Sequence, residues 1–319
     1  MLLTELHRHL DVSVRTPTLL KLAQGHGLEG TSTSLEEFSK KFLLKRPLSD
    51  LNSVLSQFNL FQKVLDRPDI LKQVAFEAIE DCWNEGTRQI EFRFAPSFLC
   101  EESHLSWDEA LTAFEQGRDQ ALKKFPDMRV GFICIVARNY GIDEAEKIIA
   151  FFLKNQKRFI GLDLAGEERT YPCRLFEKAF LPALAAGAKV TIHAGEDSGP
   201  ENIWEAIELL GARRIGHGIS AVKDPLLLKY LAQHQICLEM CPTSNWITGA
   251  TPSLAHHPIK AVLRAGAPVC INTDDPGIFG ISLPYEREIC HSQVGLSKDE
   301  IHQCDQFAAT ASFLNPEKS

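Results

Sequence analysis

Four short stretches of this chain place imidazoles and carboxylates where they could act together. His7 and His9 stand two residues apart. His193 is followed by Ala194, Gly195 and Glu196. His217 lies between Gly216 and Gly218, and Asp274 adjoins Asp275. Imidazole nitrogens and carboxylate oxygens suit a zinc ion, and three His with one Asp make a plausible N/O set. A catalytic zinc keeps an open position for water and brings that water's pKa towards neutral, which generates hydroxide. Hydroxide needs an electrophile, a base to manage its proton and an acid for the atom that gains negative charge. His217 and Glu196 are available for those proton roles, and the surplus Asp275 could orient the water or the substrate. Each stretch also has a plainer reading. His7 and His9 could be a surface pair beside Arg8, His193 and Glu196 a strand end with a solvated Glu, and His217 or Asp274-Asp275-Pro276 merely turns.

The elements that carry these residues decide between the two readings. A first strand is expected over 2–7, ending in His7-Arg8-His9, whose alternate side chains share a face. Further strands are expected over 89–94, 129–137, 159–164, 188–192, 214–215, 236–240 and 268–272. Helical stretches fall at 16–24, 49–65, 68–85, 107–124, 143–155, 175–186, 201–210, 225–233, 253–265, 284–295 and 298–313. Residues 31–47 read as a connection with a short helix. Eight strand–helix alternations imply βαβ units and a parallel sheet, closed as a (β/α)8 TIM barrel with extra helices. A doubly wound open sheet is the alternative, but no GxGxxG follows the first strand, so dinucleotide binding has no support. In a barrel the loops after the strands share one face, and His7, His9, Gly166, His193, Glu196, His217, Asp274 and Asp275 all stand at strand C-termini. The 49–65 stretch, with Leu55, Phe58 and Phe61 on an apolar face, packs outside the barrel or forms a lid over an aromatic ligand.

Composition narrows the class. The chain has 319 residues, 44% hydrophobic and 24% charged, with a net charge of −8. No repeat or low-complexity linker divides it, so one domain over 1–319 is expected. The basic pairs Lys40-Lys41 and Arg213-Arg214 are too small for a nucleic-acid footprint. Nine scattered Cys without a CxxC pair read as reduced buried thiols of a cytoplasmic protein. The N-terminus lacks a basic segment and is broken by Glu5, and no apolar run suits a membrane span. Cys241 has no evident base beside it. His26, His104, His234, His291 and His302 read as structural or solvated, and His256-His257 as a surface pair at a helix start.

Taken together, His7-x-His9-Leu10-Asp11, Leu164-Ala165-Gly166-Glu167, His193-Ala194-Gly195-Glu196, Gly216-His217-Gly218, Cys241-Pro242-x-Ser244-Asn245 and Asn272-Thr273-Asp274-Asp275-Pro276 resemble the adenosine deaminase family of metal-dependent hydrolases. The similarity runs in order along essentially the whole chain. The resemblance implies one Zn2+ per chain, held by His7, His9, His193 and Asp274, and a small-molecule purine nucleoside as substrate. Hydroxide would attack purine C6 while Glu196, as the neutral acid, protonates N1. His217 would take the water proton and stabilise the attacking oxygen, and Asp275 would hydrogen-bond that water or N7. The Gly166 N–H would contact N3, Asp11 would reach the ribose, and Leu55, Phe58 and Phe61 would form an apolar lid. Position 12 is Val where the family pattern usually has Gly, so two methyls beside Asp11 are expected to reshape the sugar side. Relatives act on adenine, N6-substituted adenine nucleotides or aminodeoxyfutalosine, and these stand as alternative substrates. A metal-dependent ester, phosphoester or lactone hydrolase is a further alternative. Binuclear members of that wider group add a bridging Lys or Glu at the end of strand four, where this chain has Gly166.

Overall fold

Runs rich in β-branched and aromatic residues, bounded by glycine and proline turns, form eight strands. The computed structural model describes residues 3–48 and 56–316. Its strands are β1 (Leu3–His9), β2 (Thr87–Phe94), β3 (Arg129–Ala137), β4 (Gly161–Ala165), β5 (Thr191–Ala194), β6 (Arg214–His217), β7 (Cys237–Met240) and β8 (Val269–Ile271). All pair in parallel, in two arcs ordered β1-β2-β3-β4 and β5-β6-β7-β8. Parallel bridges join the arcs at both edges, Leu162 to Val190 and Arg8 to Asp274. At the second seam His9 N–H donates to the Asp274 carbonyl over 2.9 Å and Asp274 N–H to the His7 carbonyl over 3.0 Å. The sheet therefore closes into the (β/α)8 barrel that the alternation implies, with additional helices.

Helices cover the outside, and most buried apolar side chains belong to one cluster between them and the strands. Ser106 and Ser297 open the helices Trp107–Lys124 and Lys298–Ala311 with reciprocal capping boxes to Glu109 and Glu300. The helix Trp107–Lys124 lies close against Pro68–Asn84 because Gly117 has no side chain. A Cβ there would stand 2.3 Å from the Lys72 carbonyl oxygen and 2.8 Å from the Ala75 Cβ. The C-terminal segment plugs the lower end of the barrel. Buried Glu91 accepts hydrogen bonds from the Ser312 hydroxyl and the Phe313 and Leu314 N–H groups, while the Arg214 guanidinium stacks 3.6 Å from the Phe313 ring centroid.

Several boundaries differ from the sequence expectation for local reasons. The expected helix over 253–265 is split into a 3-10 turn, Leu254–His256, and a helix, Ile259–Arg264. Pro258 disfavours a helical residue before it, and His257 is extended at ψ 131°. The expected helix over 284–295 is Leu283–Ile289 continued by a π turn, Cys290–Val294. Of the expected helix over 49–65, the turn Ser56–Phe58 and the helix Asn59–Val64 are seen, whereas 49–55 lies outside the described residues. Among the described residues, three short helices begin within five residues of a strand end: Pro96–Leu99, Pro242–Ile247 and Pro276–Phe279. Each has proline in its first turn, where the missing N–H costs nothing. All nine cysteines are free, and all but Cys100 are buried. No helix among the described residues is long and apolar enough to cross a membrane.

Gly117→Val is expected to destabilise the protein by about 1–3 kcal/mol, because the backbone of the neighbouring helix must move to admit the side chain. A urea denaturation midpoint that stays at the wild-type value would show that the two helices are not in this tight contact.

Candidate active site

The barrel rim gathers donors from strands far apart in sequence. His7 and His9 come from β1, His193 from β5, His217 from β6, and Asp274 from just beyond β8. His7 Nε2 and His9 Nε2 lie 3.2 and 3.3 Å from the same oxygen, Asp274 Oδ1. His9 Nε2 and His193 Nε2 face each other at 3.3 Å. Donor atoms of His7, His193, His217 and Asp274 fall within 4.8 Å of one another, and those of His9, Asp274 and Asp275 form an overlapping group. His217 and Asp274 hold φ values of +58° and +66°. Such values are uncommon for residues with a Cβ, and here the constraint bends both chains to aim their side chains inward.

The ring orientations are set from behind. His7 Nδ1 meets Glu239 Oε2 at 3.0 Å, and His193 Nδ1 meets Asp163 Oδ2 at 3.0 Å. A carboxylate at Nδ1 places the proton there and leaves Nε2 a lone pair, the usual second shell of a metal-binding His. His7 Nε2 is buried and has no hydrogen-bond partner. The residues therefore fit a cation. Arg93 spans the two carboxylates, donating to Asp163 Oδ2 at 2.8 Å and to Glu239 Oε2 at 2.7 Å. Arg214 donates to the other oxygen of Glu239 at 2.6 Å and to Glu91 at 2.7 Å. Burial opposes ionisation of Asp163 and Glu239. For Asp163 its contacts with His193 and Arg93 outweigh it, and for Glu239 the charges of Arg93 and Arg214, so both carboxyls lie below the usual range.

Glu196 sits beside this cluster. Its Oε1 accepts from Asn245 Nδ2 at 3.0 Å and Thr248 Oγ1 at 3.2 Å, and its Oε2 lies 3.4 Å from His217 Nε2. Burial first, then the charges of Asp274 and Glu168, push its pKa up to about 8. Burial also lowers that of His217. The loop carrying Glu196 is pinned by Glu168, whose carboxylate accepts from Gly195 N–H at 2.7 Å, Glu196 N–H at 2.9 Å and Asp197 N–H at 3.3 Å.

A cavity of about 490 Å3 opens over these groups. Asp11, Gly166 and Asp275 line it together with His9, His193, Glu196, His217 and Asp274. Asp11 Oδ1 and Asp275 Oδ1 are buried without a hydrogen-bond partner. Gly166, at φ +109°, admits Asn139 so closely that a Cβ would stand 2.3 Å from its Oδ1. The apolar wall is Phe58, Phe98, Ala95, Ile135, Ala137 and Ala165. Phe58 meets Phe98 edge-on at 5.9 Å between centroids. Phe61 does not reach the cavity. Its side chain is fully buried in the core, edge-on to Phe42. Leu55 lies outside the described residues. Val12 does not narrow the sugar side; its side chain is fully buried in the main core. His257 is no surface residue either: it is 4% exposed and bonded to Asn245. Sequence reasoning missed Asp163, Glu239, Arg93, Glu168, Asn245 and His257 as contributors. For Asp163 and Glu239 the signal was a charge inside an otherwise apolar strand.

Comparison with known proteins now decides the family, because the model for adenosine deaminase matches residues 3–319. The chain belongs to the adenosine deaminase family. Among adenosine deaminases, that of Vibrio cholerae is 38% identical over 313 residues, 98% of this chain and 93% of the relative. An adenine deaminase from Arthrobacter aurescens superposes with a TM-score of 0.90 at 25% identity, covering 98% of this chain and 94% of that one. An amidohydrolase from Burkholderia ambifaria, solved with bound zinc, gives 0.88 at 27% identity over 98% of this chain and 85% of that one. Adenosine deaminase family members are metal-dependent, and this chain is a hydrolytic deaminase.

Arg93→Leu removes the cation between two buried carboxylates and is expected to destabilise the fold by about 3–5 kcal/mol. It should also weaken metal binding by about 10–100-fold. Chelator competition and denaturation midpoints measure the two effects, and unchanged metal affinity would separate Arg93 from the donor cluster.

Proposed function

We propose that this chain is a zinc-dependent adenosine deaminase on a single barrel domain, converting adenosine or deoxyadenosine and water to the corresponding inosine and ammonia. One observation carries the reading: a buried carboxyl, Glu196, held up to about pKa 8, borders a nucleoside-sized cavity next to a convergent His/Asp cluster. His7, His9, His193 and Asp274 would hold the zinc, since His217 Nε2 is also turned towards Glu196. The bound cation would supply Lewis acidity that makes a nucleophilic oxygen at neutral pH.

The remaining chemistry belongs to side chains. Two hydrogen bonds fall on Glu196 Oε1, so its acidic proton resides on Oε2, the oxygen free to give it to N1 of the purine. Protonation there draws electrons from C6 and prepares it for attack. His217 and Asp275 flank the oxygen that adds at C6 and deal with its proton. Proton delivery to the amino group then lets ammonia leave. Asp11 Oδ1, buried and unpartnered, would accept from a sugar hydroxyl, and the Gly166 edge would take the N3 side.

The cavity also bears on which 6-aminopurine is used. None of the described residues lining it is Lys or Arg, and the sequence of 49–55 contains neither. A 5′-phosphate would find no cationic side chain among these residues, which disfavours nucleotides such as N6-methyl-AMP. The likeness to an adenine deaminase favours the free base as a second reading, but Asp11 would then face no partner.

A panel of adenosine, adenine and N6-methyl-AMP, followed by ammonia release and ultraviolet spectra, tests the proposal. Adenosine should give the highest kcat/KM, and no ammonia from any of the three would refute it. Glu196→Gln should lower kcat by about 10²–10⁴-fold. For the wild type, kcat/KM should fall as pH rises through about 8, where Glu196 loses its proton. The cation would offset the Asp274 charge but not burial, the larger cause of the shift. A flat profile over that range would remove Glu196 as the acid.

A further inference from the structure

Asn245 lies at the junction of two site residues and one residue outside the cavity. Its Nδ2 is 3.0 Å from Glu196 Oε1 and 3.1 Å from His217 Nδ1. Its Oδ1 is 3.1 Å from His257 Nε2. At the far side, His257 Nδ1 accepts from the Ile259 N–H at 3.3 Å. That last bond determines the rest of the chain. A backbone N–H can only donate, so Nδ1 of His257 must be the acceptor and its single proton sits on Nε2. Nε2–H then requires the oxygen of the Asn245 amide, and the two amide protons are turned to Glu196 and His217. His217 Nδ1 in turn is an acceptor, and the neutral ring carries its proton on Nε2, which faces Glu196 Oε2 and the Asp274 carboxylate.

We propose that His257 is a positioning residue which, through Asn245, selects the tautomer of His217 and holds the Glu196 carboxyl. His217 therefore meets the reacting atoms as a hydrogen-bond donor at Nε2. The consequence for turnover rests on the deaminase reading above. The relay itself does not, because it follows from bonds within the protein. Burial keeps His257 neutral, with its pKa down at about 3, so the proton count along the relay does not change near neutrality. Pro258 contributes as well, by holding His257 extended so that its ring folds back over Ile259 N–H and in towards Asn245.

The test uses the metal-loaded protein with ¹⁵N-labelled histidine. Long-range ¹H–¹⁵N spectra should show the wild-type His217 ring protonated on Nε2. His257→Phe removes the donor and frees the amide to rotate, so His217 should become a mixture of tautomers. Its kcat should fall about 10–100-fold with KM within threefold. His257→Gln can still donate to Asn245 Oδ1 and should recover most of the lost kcat. Asn245→Asp, nearly isosteric, offers His217 an acceptor and should switch it to Nδ1–H, which keeps the test intact should His257→Phe not fold. An unchanged His217 tautomer in Asn245→Asp, or a His257→Gln enzyme as slow as His257→Phe at equal thermal stability, would overturn the relay. A tautomer that switches in a protein with no deaminase activity would sink the functional reading and leave the relay standing.

Discussion

The closure of the barrel between β8 and β1 is the constraint on which the site depends. Asp274 hydrogen-bonds through its backbone to both His7 and His9, so the bonds that shut the barrel also set the spacing of three donor side chains. Main-chain geometry, held by two hydrogen bonds and a left-handed φ at Asp274, brings one carboxylate oxygen within 3.3 Å of two imidazoles. A side chain on a free loop could not keep that position against the repulsion of crowded donors. The strain at Asp274 and His217 is tolerated because the surrounding sheet determines their backbones.

Below the rim the barrel is filled by ions as well as apolar layers. Arg93 and Arg214 interleave with Glu91, Asp163 and Glu239, all buried. Two guanidinium groups face three carboxylates, so this set carries surplus negative charge directly beneath the imidazoles. Asp163 and Glu239 direct it upwards through the Nδ1 atoms of His193 and His7, which makes their Nε2 atoms stronger donors. The same low-dielectric surroundings in which guanidinium pairing holds Asp163 and Glu239 down push Glu196 up, through burial and the charges of Asp274 and Glu168. The carboxyls of one small volume are thus shifted in opposite directions.

Much of this was legible in the sequence because strand C-termini in a parallel barrel converge. His7, His9, His193, His217 and Asp274 could be grouped from position alone, without any contact being known. What stayed hidden depended on direction rather than position. Arg93 and Glu91 alternate with phenylalanines, a pattern that reads equally as a strand with one wet face, and only closure turns those charges inside. Phe58 and Phe61 share an apolar helical stripe, yet Phe58 lines the cavity and Phe61 is buried in the core. His257 was misplaced because a continuous helix was assumed across Pro258, although the proline itself signalled the break. Val12 and Asp11 share the turn closed by the Ser13 N–H on the Leu10 carbonyl, and Val12 is buried in the core while Asp11 lines the cavity.

The seam between β8 and β1 also bears on how the protein is made. The first donors to leave the ribosome, His7 and His9, have no carboxylate to meet until Asp274 has been synthesised. The plug formed by Ser312 to Leu314 over Glu91 and Arg214 emerges later still. Contacts of such long sequence separation are slow to form. Nascent chains therefore carry an unclosed sheet with a bare edge until Asp274 has been synthesised, and the cluster of His and Asp side chains comes together only once the last strand has arrived.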